Sequence, residues 1–420
     1  MTSSTATRAE NQPPPRDTAA LSAQPRLSLK DGLAGHQNSF GVIRLVLAAA
    51  VIFSHAFPLG GWGEDPFVTL VRHQQNLGGM AVLGFFAISG YLITKSGTGA
   101  DALQFIWRRF LRIFPAFWLV LLVAALIVGP AAWLIMGRNL GDYFGPGVGG
   151  PLHYFVANWK LTVGTYSIYD IFQTTTPYGL SGAGSVFNGS LWTLAYEWGS
   201  YLIIWVFVIF GVLKRARILV PVVTAFYFLL QVASKIVPGA PGQIFPYFAD
   251  PYRVSLPLIF LFGACLALYS HKVPLDARLA ALSAVVVLVT LRYGGLDILG
   301  YPAIAYFVMW LAAALPRSFQ WIGAKNDYSY GIYVYGFLVE QFTAFLGWNR
   351  WGYVPWVLVC LAITVGCAWL SWHGLEKWAL ALKDFGPGKG LRFWYDRSRA
   401  LIARGRGRDR GQERAASTSE

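Results

Sequence analysis

One nearly continuous apolar stretch, residues 39–58, carries two ionisable side chains and constrains the fold more than any other segment. It is long enough to cross a bilayer as a helix, yet it contains Arg44 and His55. On an α-helix this spacing is about three turns, so both side chains lie on one face, about 16 Å apart along the axis. Either residue alone has a structural explanation, with Arg44 reaching the headgroups and His55 bonding at the rim. Together they favour a function, because ionisable groups in lipid normally face a partner or a substrate path.

The composition places this stretch in a polytopic membrane protein. The 420 residues are 55% hydrophobic and only 13% charged, about half the charged share of a soluble domain. Long apolar runs recur along the chain, which predicts an all-α bundle of about ten transmembrane helices rather than a β-barrel. The expected spans lie near residues 39–58, 78–95, 112–136, 197–213, 218–237, 254–270, 274–292, 298–316, 328–347 and 353–374.

The basic residues predict the orientation of these spans. With the N-terminus inside, the short loops rich in Lys and Arg all fall on the inner side, as the positive-inside rule requires. An even number of spans also returns the basic C-terminal tail to that side. We therefore expect a multi-pass membrane protein with N-in/C-in topology.

Three parts of the chain are expected from these patterns. Residues 1–38 are polar and rich in Pro, Ala and Ser, which predicts a disordered cytoplasmic arm. Residues 39–376 form the transmembrane domain, including an outer loop at 137–190. Residues 377–420 form a basic disordered tail that touches anionic lipid rather than nucleic acid.

The outer loop is rich in Gly, Thr, Tyr and Pro, and a short interfacial or re-entrant helix is expected near residues 154–163. Its aromatic side chains suit sugar stacking, although anchoring at the membrane interface explains them equally well. The three cysteines, Cys265, Cys360 and Cys367, lie in apolar runs without ligand-like spacing to His. Neither a disulfide framework nor a metal site is therefore predicted.

A compact arginine cluster marks the inner side. Arg108, Arg109 and Arg112 stand in an otherwise apolar and aromatic segment, and Arg108 and Arg112 share a helix face. Guanidinium forks suit phosphates, so a cytoplasmic donor that carries several phosphates, such as an acyl-CoA, is a natural ligand. The alternative is that the cluster serves only as a topology signal.

Two further motifs supply polar and aromatic groups. Glu197 follows Trp192 at the start of the fourth span, where a carboxylate can orient His55 or simply favour a helix N-terminus. Tyr330 and Tyr333 are neighbours on the ninth helix and are expected to line the bundle interior. We expect Trp192, Tyr330 and Tyr333 to contact substrate.

Taken in order, these motifs resemble those of the membrane acyltransferase-3 family, which O-acylates bacterial polysaccharides and glycolipids. The matching positions are Arg44 with His55, residues 84–93, Arg109 with Arg112, Trp192 to Glu197, and residues 329–333. The resemblance implies an acyltransferase in which His55 is catalytic and Arg44, Arg109, Arg112 and Glu197 contribute. It also implies acyl-CoA as a co-substrate, often an acetyl donor, with no permanently bound cofactor.

The expected reaction is transfer of an acyl group from cytoplasmic acyl-CoA to a hydroxyl of a cell-surface polysaccharide or glycolipid, with His55 as general base. The inner arginines and the outer His55 are far apart, so either the donor threads the bilayer, the first span sits deeper, or the acyl group is relayed. Two other classes stay open: a transporter or flippase for a lipid-linked sugar, and a scaffold that uses the basic tail.

Overall fold

The computed structural model describes residues 27–35, 38–145 and 148–401, and this part of the chain is helical without a named β-strand. Ten long helices form the bundle. They are α1 Phe40–Gly60, α2 Leu77–Gly97, α3 Ala102–Ile135, α4 Gly189–Ile209, α5 Leu219–Ile236, α6 Tyr252–Leu268, α7 Ala277–Tyr293, α8 Leu296–Ala314, α9 Ser329–Phe345 and α10 Tyr353–Asp384.

Each of the ten predicted spans coincides with one of these helices. Seven helices of the described chain are long and apolar enough to cross a membrane. The other three, α6, α7 and α9, have 17 residues each. The all-α polytopic architecture is confirmed, whereas the count of ten spans and the N-in/C-in orientation stay predictions.

The bundle has two ends, which we name the arginine end and the histidine end after the residues that they contain. The arginine end contains Arg44 of α1, Arg112 of α3 and Asp327 just before α9, which are in direct contact. The histidine end contains His55 and the segment that joins α1 to α2. There the Asp65 carboxylate accepts hydrogen bonds from Ser54 and from the backbone N–H of Leu77.

Helix α2 crosses α6 at close range. A Cβ on Gly90 would collide with the backbone carbonyl of Phe260, and one on Gly263 would collide with that of Ala87. Small residues let helix backbones approach in this way, which is how helices associate in lipid. Gly90 and Gly263 therefore set the close approach of α2 and α6.

The outer loop folds back into the bundle. It contains a short helix at Pro151–Asn158, close to the predicted one, and a double ion pair between Arg138 and Asp170. Just before α4, the buried Asn188 donates a 2.7 Å hydrogen bond to the carbonyl of Val334 in α9. Helix α4 therefore begins inside the bundle rather than at its surface.

Both terminal segments are more ordered than the sequence suggested. Residues 27–35 include the short helix Leu29–Gly32, and the side chains of Leu29 and Leu33 are fully buried. Burial of such leucines offsets the entropy of ordering the chain. Residues 1–26 lie outside the described chain.

The tail departs from the predicted disorder in the same way. Helix α10 continues to Asp384, and residues 390–401 are helical. The backbone N–H of Leu391 donates to Asp101, and Trp107 donates to the carbonyl of Leu382, so the tail packs against the start of α3. The most basic run, residues 404–411, lies outside the described residues.

We expect Gly90→Ala to destabilise the protein by about 1–3 kcal/mol, since overpacking a tight contact forces the backbones apart. The matched control is Gly366→Ala in α10, where an added Cβ meets no atom within 4 Å. Thermal unfolding of both variants in detergent measures the effect. Equal melting temperatures would contradict the α2–α6 packing.

Candidate active site

Asp327 organises the arginine end. Its Oδ2 accepts hydrogen bonds from Arg44 Nη1 at 2.5 Å and from Arg112 Nη2 at 2.6 Å. Its Oδ1 accepts from the backbone N–H and the hydroxyl of Ser329, which fixes the carboxylate at the start of α9. Burial opposes ionisation, but the two guanidinium charges and these hydrogen bonds outweigh it and lower the pKa of Asp327 to about 2.

The predicted arginine cluster lines one cavity. The arginine cavity has a volume of about 180 Å³, and its lining includes Arg44, Arg108, Arg109, Arg112 and Lys383. Arg108 is paired with Asp384 at 3.0 Å, and Arg44 and Arg112 share Asp327. Among the described residues, no ion pair involves Arg109 or Lys383, so the cavity has a surplus of positive charge.

A smaller middle cavity of about 40 Å³ follows deeper in the bundle. Its lining includes Arg44, Ser89, Glu197, Tyr330 and Tyr333. The Tyr330 hydroxyl donates to the carbonyl of residue 113 at 2.8 Å, and the Arg112 guanidinium lies 5.4 Å from the Tyr330 ring centre. The two tyrosines therefore line the bundle interior, as predicted.

Glu197 has different partners from those expected. Its Oε1 accepts hydrogen bonds from Ser89 at 3.1 Å and from the Tyr201 hydroxyl, and it lines the middle cavity instead of the cavity of His55. No hydrogen bond joins Glu197 to His55 in the described chain, so the expectation that Glu197 orients His55 is wrong. The physical reason is depth, because α4 begins inside the bundle and carries Glu197 toward the arginine end.

His55 lines a third cavity at the histidine end. This histidine cavity has a volume of about 130 Å³ and includes Gln75, Asn76, Trp192 and Tyr333 in its lining. The His55 ring packs edge-on against a phenylalanine of α9 at 5.3 Å between centres. Its Nδ1 is buried and has no hydrogen-bond partner in the described part of the chain.

The three cavities follow one another through the bundle. The arginine and middle cavities share Arg44 and Ser89 in their linings, and the middle and histidine cavities share Val82 and Tyr333. The Tyr333 hydroxyl is paired with Thr193, so this side chain stands between the last two cavities. A row of internal spaces thus leads from the arginine cluster to His55.

Sequence reasoning missed three groups in this arrangement. Asp327 was not among the predicted site residues, although its carboxylate caps the start of α9 by accepting from the Ser329 backbone N–H. Asp65 accepts a hydrogen bond from Ser54, next to His55 in the chain, and nothing in the sequence pairs Asp65 with this part of α1. Gln75 and Asn76 reach the histidine cavity only because the turn before α2 folds over it. The one available signal was the motif at residues 329–333, which begins two residues after Asp327.

The described residues contain no group of three or more His, Cys, Asp and Glu side chains that could hold a metal ion. Cys265, Cys360 and Cys367 are not paired in disulfides. The chemistry available in the three cavities is therefore that of an imidazole, guanidinium groups, carboxylates, amides and hydroxyls.

Comparison with known proteins identifies the chemistry. A family described as an acyltransferase domain matches residues 37–373. The chain belongs to the acyltransferase-3 family. It is 29% identical over 351 residues to an O-acetyl transferase of Shigella phage Sf6, covering 81% of this chain and 95% of that protein. It is 30% identical over 379 residues to Nodulation protein 10 of Rhizobium leguminosarum bv. viciae, covering 83% and 95%.

No solved structure is significantly similar to this chain. The family and the apolar helices establish a multi-pass membrane acyltransferase of the O-acyltransferase type. An enzyme is therefore identified where the sequence had also left a transporter and a scaffold open. Arg44 and His55 lie in the matched region, as do the arginine cluster and Glu197.

We expect Asp327→Asn to destabilise this acyltransferase by about 3 kcal/mol, because it leaves Arg44 and Arg112 without their shared counter-charge. Asp384→Asn is the matched control, since Asp384 is 60% exposed and its pair with Arg108 adds at most about 1 kcal/mol. Chemical or thermal unfolding in detergent compares the two variants. A similar small effect for both would show that Asp327 does not organise the arginine end.

Proposed function

We propose that this enzyme transfers an acyl group, in the simplest case acetyl, from cytoplasmic acyl-CoA to a hydroxyl of a carbohydrate in the bacterial inner membrane. One observation carries the proposal: the row of three cavities that leads from the arginine cluster to His55. It matches a donor with a polyphosphate head, a narrow arm and a reactive thioester at the far end. Of the routes that the sequence left open, it favours a donor that threads the bundle.

The donor head would bind in the arginine cavity. Arg109 and Lys383 supply positive charge that no described carboxylate neutralises, and Arg108 lies beside them. Charge-assisted hydrogen bonds from guanidinium groups are the strong contacts that phosphates make with proteins. Arg44 lines both the arginine and middle cavities, so we assign it to the donor arm rather than to the reacting carbonyl.

The thioester would react in the histidine cavity. His55 takes the proton of the acceptor hydroxyl as its oxygen attacks the thioester carbonyl carbon. The C–O bond forms, the C–S bond breaks, and the proton passes from His55 to the leaving sulfur. Gln75 and Asn76 bring amide groups to the same cavity, where an amide N–H can stabilise the developing oxyanion. Trp192 lines this cavity on the acceptor side.

We expect His55→Gln to lower acyl transfer by about 10²- to 10⁴-fold, which is the usual contribution of a general base. The exposed His271→Gln, in the loop after α6, is the matched control. Mass analysis of surface carbohydrate from cells that produce only the variant measures transfer, with membrane insertion checked separately. Full acylation by a correctly inserted His55→Gln protein would reject His55 as the base.

Two variants separate donor binding from the path to His55. Arg109→Gln is expected to weaken CoA binding to the purified protein roughly tenfold, since a charge-assisted hydrogen bond to phosphate is lost. Val82→Trp fills the junction of the middle and histidine cavities, so it leaves CoA binding intact while transfer is lost. Titration with CoA and the carbohydrate assay measure these effects.

Arg278→Gln, which changes an exposed cation in the first turn of α7, controls for general charge effects. Unchanged CoA affinity in Arg109→Gln would reject the donor site. Normal transfer by Val82→Trp would reject the path through the three cavities.

A further inference from the structure

A fourth space, which the proposed reaction does not use, lies on the side of the bundle. This lateral groove, of about 340 Å³, is lined by Gly199 and Ile203 of α4, Tyr227 of α5, and Arg253 and Pro257 of α6. Helix α6 packs against both α4 and α5 and forms the floor of the groove. A Cβ on Gly199 would meet no atom within 4 Å, so the space above this residue is open.

The groove changes in polarity along its length. Ile203 belongs to α4, which is long and apolar enough to cross a membrane, and it lies about 15 Å along this helix from Thr193 at the usual rise per residue. This part of the groove is therefore at membrane depth. Gly199, Ile203 and Pro257 give it an apolar surface. Arg253, in contrast, lies at the start of α6, in the outer end of the groove.

The outer end presents a cation. The Arg253 guanidinium lies 4.6 Å from the Tyr247 ring centre, and its Nη1 donates to the Tyr247 carbonyl. Its Nε forms a long ion pair of 3.7 Å with Asp250, whose carboxylate also accepts hydrogen bonds from the Tyr196 hydroxyl and the Tyr252 backbone N–H. Nη2 of Arg253 donates to no acceptor in the described part of the chain, and the side chain is 42% exposed.

The groove leads to the reacting groups. Trp192 lines both the lateral groove and the histidine cavity. Its ring packs on Tyr252, which also lines the histidine cavity, with 4.6 Å between ring centres. A molecule held in the groove by its lower end would therefore extend past an aromatic surface toward His55. Aromatic rings with a polar edge suit the faces of sugars as well as the membrane interface.

We propose that the lateral groove binds the acceptor as a lipid-linked carbohydrate, in which a long isoprenoid or alkyl chain is joined through a phosphate to the sugar. The chain lies along Gly199, Ile203 and Pro257, the phosphate meets Arg253, and the sugar passes Trp192 into the histidine cavity. The inference rests on the proposed function and adds the form in which the acceptor arrives. In the lateral groove the chain exchanges bilayer lipid for van der Waals packing against the protein, a contact that a free polysaccharide cannot make.

The test measures binding of undecaprenyl phosphate to the purified full-length protein in detergent, by native mass spectrometry without acyl-CoA. We expect Gly199→Leu and Arg253→Gln each to weaken this binding at least tenfold. Gly366→Leu, which also adds a side chain in open space but on α10, retains it. Undecaprenol and inorganic phosphate, each tested alone, separate the contribution of the chain from that of the phosphate.

Equal binding of undecaprenyl phosphate by wild type and Gly199→Leu would reject the lateral groove as the binding site of the acceptor lipid. Displacement of undecaprenyl phosphate by a soluble oligosaccharide that carries no lipid would also overturn the proposal, because it would identify a free polysaccharide as the acceptor. Because the assay contains no donor, its result is independent of the His55 and Arg109 experiments. If the groove variants lose lipid binding while His55→Gln retains full transfer, that result would reject His55 as the general base and support the lateral groove as the lipid-binding site.

Discussion

The shared carboxylate of Asp327 is the interaction on which the arginine end depends. It joins α1, α3 and the start of α9 through Arg44 and Arg112, and it is itself held by Ser329. Two largely buried guanidinium groups would be costly without a counter-charge. Because Asp327 supplies that charge, the positive surplus of the arginine cavity lies with Arg109 and Lys383, where a polyanionic donor can neutralise it.

In the proposed reaction, the three cavities divide the work of an acyl transfer. A cation-rich space at one end, a narrow middle and an imidazole at the other end correspond to the head, arm and thioester of the proposed donor. The lateral groove reaches the same histidine cavity from the side through Trp192. Donor and acceptor would then meet at His55 from different directions, so neither has to leave before the other binds.

Much of the architecture could be read from the chain. Apolar runs of bilayer length predicted every long helix, since length and hydropathy are local properties. The ordered motifs around Arg44, His55, Arg109 and residues 329–333 pointed to the family that the comparison confirmed. Disorder at the termini was predicted too broadly, because composition does not reveal that Leu29 and Leu33 are buried against the bundle.

The sequence by itself determined the helical membrane fold and the residues able to carry charge in lipid, because each depends on residue type and local spacing. Its ordered motifs indicated the enzyme class, which the family comparison confirmed. Only the tertiary structure decided which of these residues meet. It placed Glu197 with Ser89 and Tyr201 rather than with His55, since the loop before α4 folds into the bundle. It also gave Arg44 and Arg112 a common partner in Asp327, more than 200 residues away. Such pairings depend on helix depth and crossing, which no local pattern encodes.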